Sequence, residues 1–254
     1  MTQMDDNTRP AIRVRGLCKS FGGQKVLDNL DLDVAQGQTV TVLGRSGTGK
    51  SVLLKLIIGL LRPDQGEIEI DGVETTAAPL DQLNRVRRSI GFLFQQSALY
   101  DSLTVEENVA FPLRRHSGMS ERDLRARVLD LLYSVGMVEA HAKMPADISG
   151  GMKKRVGLAR ALALDPSIIL LDEPTTGLDP ITASEIIDLI SELRANRGIS
   201  SVMVTHDIRS VKGISDRVAM LNEGNIVISG TLDDLKASPD PFVSKFMLRS
   251  GEVT

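Results

Sequence analysis

The chain has one cysteine, no long apolar run and no excess of positive charge, and each absence removes a class of protein. Cys18 has no second cysteine to pair with, so an internal disulfide framework is excluded and a reducing compartment fits. The longest largely apolar stretch, residues 52–61, is broken by Lys55. A membrane span needs about 20 apolar residues, so a membrane role has to come through a partner chain. Lysine and arginine number 30 against 33 acids, and the pI is about 5.7, so no general pull toward nucleic acid exists. The polar, acidic start over residues 1–10 does not read as a secretory signal. Heptad runs and internal repeats are missing too. What is present is 254 residues with 42% hydrophobic and 25% charged, a globular balance. That length suits one large domain or a core carrying an inserted subdomain.

The most informative segment is Gly44-Arg45-Ser46-Gly47-Thr48-Gly49-Lys50-Ser51, which fills every fixed position of the G-x-x-x-x-G-K-[S/T] phosphate loop. Residues 38–43 before it read as a buried strand, and residues 50–60 after it as a helix. Such a turn lets backbone N–H groups curl round a polyphosphate at a positively polarised helix N-terminus. Lys50 is expected to reach the β- and γ-phosphates, and the Ser51 hydroxyl to sit on Mg²⁺. A glycine-rich turn without a ligand is the bland alternative, and the flanking strand and helix argue against it. The chain is read as binding a nucleoside triphosphate.

Strands are expected over residues 12–17 and 26–34, with Leu27, Leu30, Leu32 and Val34 set among polar residues and a turn at Phe21-Gly22-Gly23. Residues 67–70 alternate as well and run into the hairpin signal Asp71-Gly72. Residues 90–94 form a short apolar strand. Together these segments suggest an antiparallel sheet beside the phosphate-loop core. From 97 to 165 the character turns helical: Leu124, Val128, Leu131, Leu132 and Val135 repeat at helical spacing, and Gly136 closes the helix. This block reads as an inserted helical subdomain. Strand–helix alternation then resumes with a strand at 168–171, a helix at 181–195, a strand at 201–205 and a helix from near Asp207. A hairpin of 218–221 with 226–228 follows, and residues 249–254 read as frayed. The alternation implies a largely parallel sheet with helices on both faces.

Two more motifs carry chemistry. Ile168-Ile169-Leu170-Leu171-Asp172-Glu173 is an apolar strand ending in two acids. Alone it would read as a solvated strand end. Downstream of a phosphate loop it becomes a metal-site strand, with Asp172 orienting Mg²⁺ opposite Ser51 and Glu173 polarising the attacking water. Whether Glu173 takes the proton or only holds the water stays open at this level. Ile148-Ser149-Gly150-Gly151-Met152 opens the basic helical segment Lys153-Lys154-Arg155-Val156-Gly157-Leu158-Ala159-Arg160-Ala161. It offers a second anion-binding helix N-terminus, although on its own this segment reads first as an ordinary serine-capped helix.

The ordered strings GRSGTGKS, FQQ, ISGGM, LLDEP, GLD and TH, from Gly44 to His206, resemble an ABC-transporter ATPase subunit over nearly the whole chain. The resemblance implies an α/β fold: a P-loop NTPase (RecA-like) core with a flanking antiparallel β-subdomain and an inserted α-helical subdomain. One nucleotide-binding domain would span 1–254. Residues 10–95 and 166–240 would form core and β-subdomain, 96–165 the helical insert and 241–254 a C-terminal tail. It also implies ATP with Mg²⁺, hydrolysed by a head-to-tail homodimer in which Ser149, Gly150 and Gly151 serve the partner's nucleotide. Phe21 matches the aromatic that stacks on adenine. Gln95 matches the glutamine that touches Mg²⁺ and the attacking water, with Gln96 beside it leaving the register open. Asp179 matches the loop that crosses the dimer interface, and His206 the histidine that clamps the γ-phosphate. His116 and His141 receive no role.

Met152 stands where the signature usually has glutamine, Ile148 where it has leucine, and Arg45 where proline is common. Met152, with residues 93–100, 108–114 and 150–155, resembles the MlaF-like branch. Those ATPases drive lipid transport with a multi-span MlaE-like permease and an Mce-type lipid carrier; whether a small regulatory subunit binds as well stays open at this level. The resemblance therefore implies a cytoplasmic subunit on the inner face of the cell membrane. Leu99, Tyr100 and Leu103 are apolar residues that a solvated loop has no reason to expose, and they are expected to meet the permease, the alternative being that they pack under the helical insert. A small-solute importer is the nearest alternative. A soluble ATPase of DNA repair or translation is disfavoured by the single phosphate loop, the missing coiled coil and the acidic pI.

Overall fold

The structure, a computed structural model, describes residues 9–249. Most of the acidic start and residues 250–254, nearly all of the segment read as frayed, lie outside the described residues. The described chain builds two sheets with a helix packed between them. Strands β1 (Ile12–Phe21), β2 (Gln24–Val34), β4 (Gln65–Ile70) and β5 (Val73–Glu74) form an antiparallel sheet in the order β2-β1-β4-β5. Strands β3 (Thr39–Leu43), β6 (Ile90–Leu93), β7 (Ile168–Asp172), β8 (Ser200–Thr205), β9 (Arg217–Asn222) and β10 (Asn225–Gly230) form the second, in the order β10-β9-β3-β8-β7-β6. All its pairings are parallel except the β9–β10 hairpin.

The 90–94 segment departs from expectation. It belongs to the parallel sheet, paired with β7 from Ile90–Ile168 to Leu93–Leu171, and not to the antiparallel one. All four residues of β6 are buried. A strand covered on both faces loses the polar alternation that a half-exposed antiparallel strand keeps.

Period-two geometry divides the core cleanly. Ile168 and Leu170 of β7 face α1 (Lys50–Ile57) and the antiparallel sheet, whereas Ile169 and Leu171 face the helical side. That side holds α3 (Val105–His116), α4 (Glu121–Ser134), α5 (Gly150–Ala161) and α6 (Pro180–Arg197). Leu124, Val128, Leu131, Leu132 and Val135 are all buried there, as their spacing requires. Thr104 opens α3 with a reciprocal capping box to Glu107, and Ser120 caps α4.

Three elements differ from the sequence reading. Helix α2 (Leu80–Arg88) is missing from that reading although Leu80, Leu83 and Val86 recur at helical spacing; the repeat is short and none of its residues is fully buried. Val86 packs on the core, and Arg87 donates to the Ile58 and Gly59 carbonyls at the end of α1. The helix expected from Asp207 is only a short 3₁₀ turn, Ile208–Val211, capped by the Asp207 side chain. The expected tail contains α8 (Pro241–Arg249), which follows α7 (Leu232–Lys236). Val243 and Met247 of α8 are fully buried against Leu43, Val218, Met220 and Leu235. Phe242 and Phe246 pack on the same cluster, so the apolar pairs 242/243 and 246/247, one helical turn apart, are the signal in the sequence that this is a docked helix.

Candidate functional site

Parallel pairing brings the scattered motifs to one edge. The loop 44–49 follows β3, Glu173 follows β7, His206 follows β8 and Gln95 lies just beyond β6, and these four strands are consecutive in the sheet. Leu43 stands opposite Thr205, and Asp172 opposite Val204. Ligands of open parallel sheets bind at that carboxyl edge.

The glycines of the loop are required by space as well as by conformation. Gly49 has φ of +99°, and a Cβ on it would fall 2.9 Å from both the Val26 carbonyl oxygen and Val26 Cγ1. A Cβ on Gly44 would lie 2.7 Å from the Leu221 carbonyl oxygen. Arg45, Ser46 and Gly47 are exposed at the tip, and Thr48 Oγ1 donates back to the Arg45 carbonyl at 2.9 Å. Lys50 is 5% exposed, and its ammonium donates to the carbonyls of Gly44 (2.9 Å) and Arg45 (3.0 Å).

Seven side chains converge behind the loop. Ser51 Oγ donates to Asp172 Oδ1 at 2.7 Å. Burial raises the Asp172 carboxyl above the ordinary aspartate range, opposed by the Ser51 hydrogen bond. Lys50 Nζ lies 3.4 Å from Glu173 Oε1, and His206 Nδ1 lies 2.8 Å from Glu173 Oε2. Thr176 Oγ1 donates to the same Oε2 at 3.1 Å, and Thr205 Oγ1 stands 3.4 Å from it. Glu173 is 7% exposed and has φ of +48°, a left-handed conformation unusual for a side chain that gains nothing locally from it. Here it turns the carboxylate from the strand end toward Lys50.

Ser51 and Asp172 fit a magnesium ion of the phosphate-loop kind. No group of three or more His, Cys, Asp or Glu side chains able to hold a metal exists among the described residues. A metal at Ser51 and Asp172 would have to take most of its oxygens from phosphate and water, as Mg²⁺ does.

Other predicted site residues stand apart from this group. Phe21, 46% exposed at the end of β1, has the Lys19 ammonium 5.4 Å from its ring centroid. The Gln95 and Gln96 side chains are both exposed, so their register stays open. Ser149 caps α5, accepting from the Met152 amide at 3.3 Å, and no hydrogen bond joins it to the phosphate loop of its own chain among the described residues. Gly151 is buried, and a Cβ there would strike Thr182 Cγ2 at 2.6 Å. Asp179 caps α6. Its hydrogen bond from the Thr182 hydroxyl, then that from the Thr182 amide, holds its carboxyl below the usual range.

In the sequence Lys154 is one charge of a basic helix; the structure buries it to 4% exposure. It donates to the backbone carbonyls of Gln95 and Glu173, and burial pulls its pKa down to about 8. The available signal was its phase: Lys154 lies four residues before Leu158, on the inward face of α5.

A groove of about 470 Å³ opens beside the Gln95 segment, lined by Phe92, Phe94, Tyr100, Phe111, Pro112 and Arg160 among others. Of the three apolar residues expected at that surface, Leu99 packs inward on the helical core and Leu103 is half-buried. Tyr100 stays 46% exposed and stacks with Phe111 at 4.8 Å between centroids. Asn108, fully buried, ties the segment down by donating to the Tyr100, Leu103 and Thr104 carbonyls.

A phosphate loop joined through Ser51 to a strand-end aspartate, with a buried glutamate and a histidine beside it, defines a nucleoside-triphosphate hydrolase. Residues 27–176 match the family model described as ABC transporter. The chain belongs to that family, as an ATP-binding and ATP-hydrolysing subunit. It is 42% identical over 93% of its length to the probable ribonucleotide transport ATP-binding protein mkl of Mycobacterium leprae, spanning 68% of that relative. Of the same-named proteins of Mycobacterium bovis and Mycobacterium tuberculosis it spans 66%. It is 39% identical over 96% of its length to the intermembrane phospholipid transport system ATP-binding protein MlaF of Escherichia coli, spanning 91% of it. The dimeric ATP-binding cassette MJ0796, in a post-hydrolysis state bound to ADP and Pi, superposes with a TM-score of 0.80 at 35% identity, over 87% of this chain and 98% of that one.

Proposed function

We propose that this ATPase powers lipid transport across or from the cell membrane, working as a homodimer beneath an MlaE-like permease. The observation that carries the reading is the likeness to MlaF along nearly the full length of both chains. None of the described helices is long and apolar enough to cross a membrane, so the reading requires a membrane-spanning partner. An Mce-type lipid carrier and a small regulatory subunit complete the assembly, which holds this chain on the inner face of the membrane.

Within the site, the loop amides and Lys50 hold the β- and γ-phosphates, and Phe21 stacks on adenine. Ser51, Asp172 and Gln95 would hold Mg²⁺, which would supply charge neutralisation on the phosphates. Glu173 orients the attacking water, and its bond to His206 aims the carboxylate that accepts the proton. Ser149, Gly150 and Gly151 close on the partner's nucleotide, with Asp179 at the interface. The groove at Tyr100 and Phe111 receives a permease helix, whose position then follows the Gln95 segment.

A second reading, transport of ribonucleotides or another small solute, is favoured by the 42% identity to mkl. Deleting the gene separates the two. Lipid transport predicts an envelope leaky to detergents with altered surface lipid. An intact envelope with failed uptake of one solute would transfer the case to the second reading.

A further inference from the structure

We infer that Lys154 is a positioning residue for ATP hydrolysis: it fastens the backbone at Glu173 and at Gln95 to the helix that Ser149 begins. The inference rests on the roles proposed for those three residues.

Lys154 is a costly residue where it stands. An ammonium taken out of water needs compensation, and here it is satisfied by carbonyl oxygens rather than a direct carboxylate partner. A methionine of similar length would fill the same space without that cost. What the lysine adds is a bridge between three elements. Its carbon stem belongs to α5, one acceptor lies just past β6 and the other just past β7. The second acceptor is the carbonyl of Glu173, the residue whose backbone is held at a positive φ. A donor fixed on that carbonyl restrains the peptide that aims the carboxylate.

The same face of α5 grips the Gln95 segment further along. Gly157 brings the helix so close to residues 93–97 that a Cβ on it would meet Leu93 Cδ1 at 2.9 Å and Ser97 Cβ at 3.2 Å. Arg160 donates to the Ser97 carbonyl at 2.6 Å and to the Ala98 carbonyl at 2.7 Å. Ser97 and Ala98 both have positive φ, so this turn is held by its partners rather than by its own preference. Positions 154, 157 and 160 thus clamp residues 95–98 to the helix, and Lys154 alone of the three also reaches Glu173. Five residues before it, Ser149 is the residue proposed to touch the nucleotide of the other subunit. A shift of α5 on closure would reach this chain's own water-orienting glutamate through one side chain.

The test uses the full chain with Lys154→Met, Lys154→Gln and Lys154→Arg. In Lys154→Met, kcat for ATP should fall by about 10²-fold, the scale of a roughly 1 Å misplacement of a reacting group. KM for ATP should hold, and thermal stability should not fall. Lys154→Arg, which keeps donors for both carbonyls, should recover much of the rate, and Lys154→Gln less. In a Glu173→Gln background Lys154→Met should cause no further fall. Wild-type kcat in Lys154→Met, with Glu173→Gln inactive, overturns this inference and leaves the role of Glu173 standing. Wild-type kcat in Glu173→Gln removes that role instead. Rate, KM and stability falling together, without recovery in Lys154→Arg, would reduce Lys154 to a structural residue. If Lys154→Met does not fold, equal kcat in Lys154→Gln and wild type is the contradicting result.

Discussion

Glu173 concentrates the chemistry of the site in one side chain, with Lys50 on one oxygen and His206, Thr176 and Thr205 around the other. Glu173→Gln keeps the shape and loses the proton acceptor. Steady-state turnover should fall by about 10²–10⁴-fold, while ATP binding measured by equilibrium titration persists. Lys50→Ala should act at the earlier step and weaken nucleotide binding itself. A residue-scale pH effect follows from Lys154. Its folded pKa of about 8 lies below the ordinary lysine value of 10.5. Between those values the unfolded chain holds a proton that the folded chain has released, so this group makes stability rise with pH. Denaturant titrations from pH 8 to 10 should show wild type gaining stability relative to Lys154→Met. A constant difference would contradict the burial of a charged ammonium.

At the scale of elements, sequence and structure agree where a local pattern carries the information. The phosphate loop, the β7 acids and the α4 stripe each announce themselves within a dozen residues. Agreement fails where stability comes from a distant partner. β6 takes its sheet from pairing with β7, whereas α2 and α8 carry helical repeats of their own, Leu80, Leu83 and Val86 in one and Phe242, Val243, Phe246 and Met247 in the other, each too short to stand out from a loop or a tail. Of the candidate site, the motif residues were legible, and Lys154 was not, because charge in a basic run reads as solvated until the fold buries it. Met247→Ala should cost about 2–5 kcal/mol in chemical denaturation, the range for a buried Met truncated to Ala. A loss below half a kcal/mol would mean that α8 behaves as the tail it was first read to be. Tyr100→Glu, on the exposed side of the Phe111 stack, should leave fold and ATP binding intact and abolish co-purification with the permease.

For the whole molecule, the central question is where the signature helix works. Ser149 is exposed at the start of α5 and makes no bond to its own phosphate loop, so the proposed ATP site is complete only when a second chain supplies that helix. The cassette likeness to MJ0796, itself dimeric, supports such an arrangement. The most direct measurement is disulfide crosslinking of a chain carrying Cys18→Ser, Ser46→Cys and Ser149→Cys, in the Glu173→Gln background with ATP and Mg²⁺. The expected product is a covalent dimer, formed in high yield only when ATP is present, and trapped because hydrolysis is blocked. Crosslinks confined within single chains, or dimers formed equally without nucleotide, would contradict the composite site and with it the account of how this ATPase turns over.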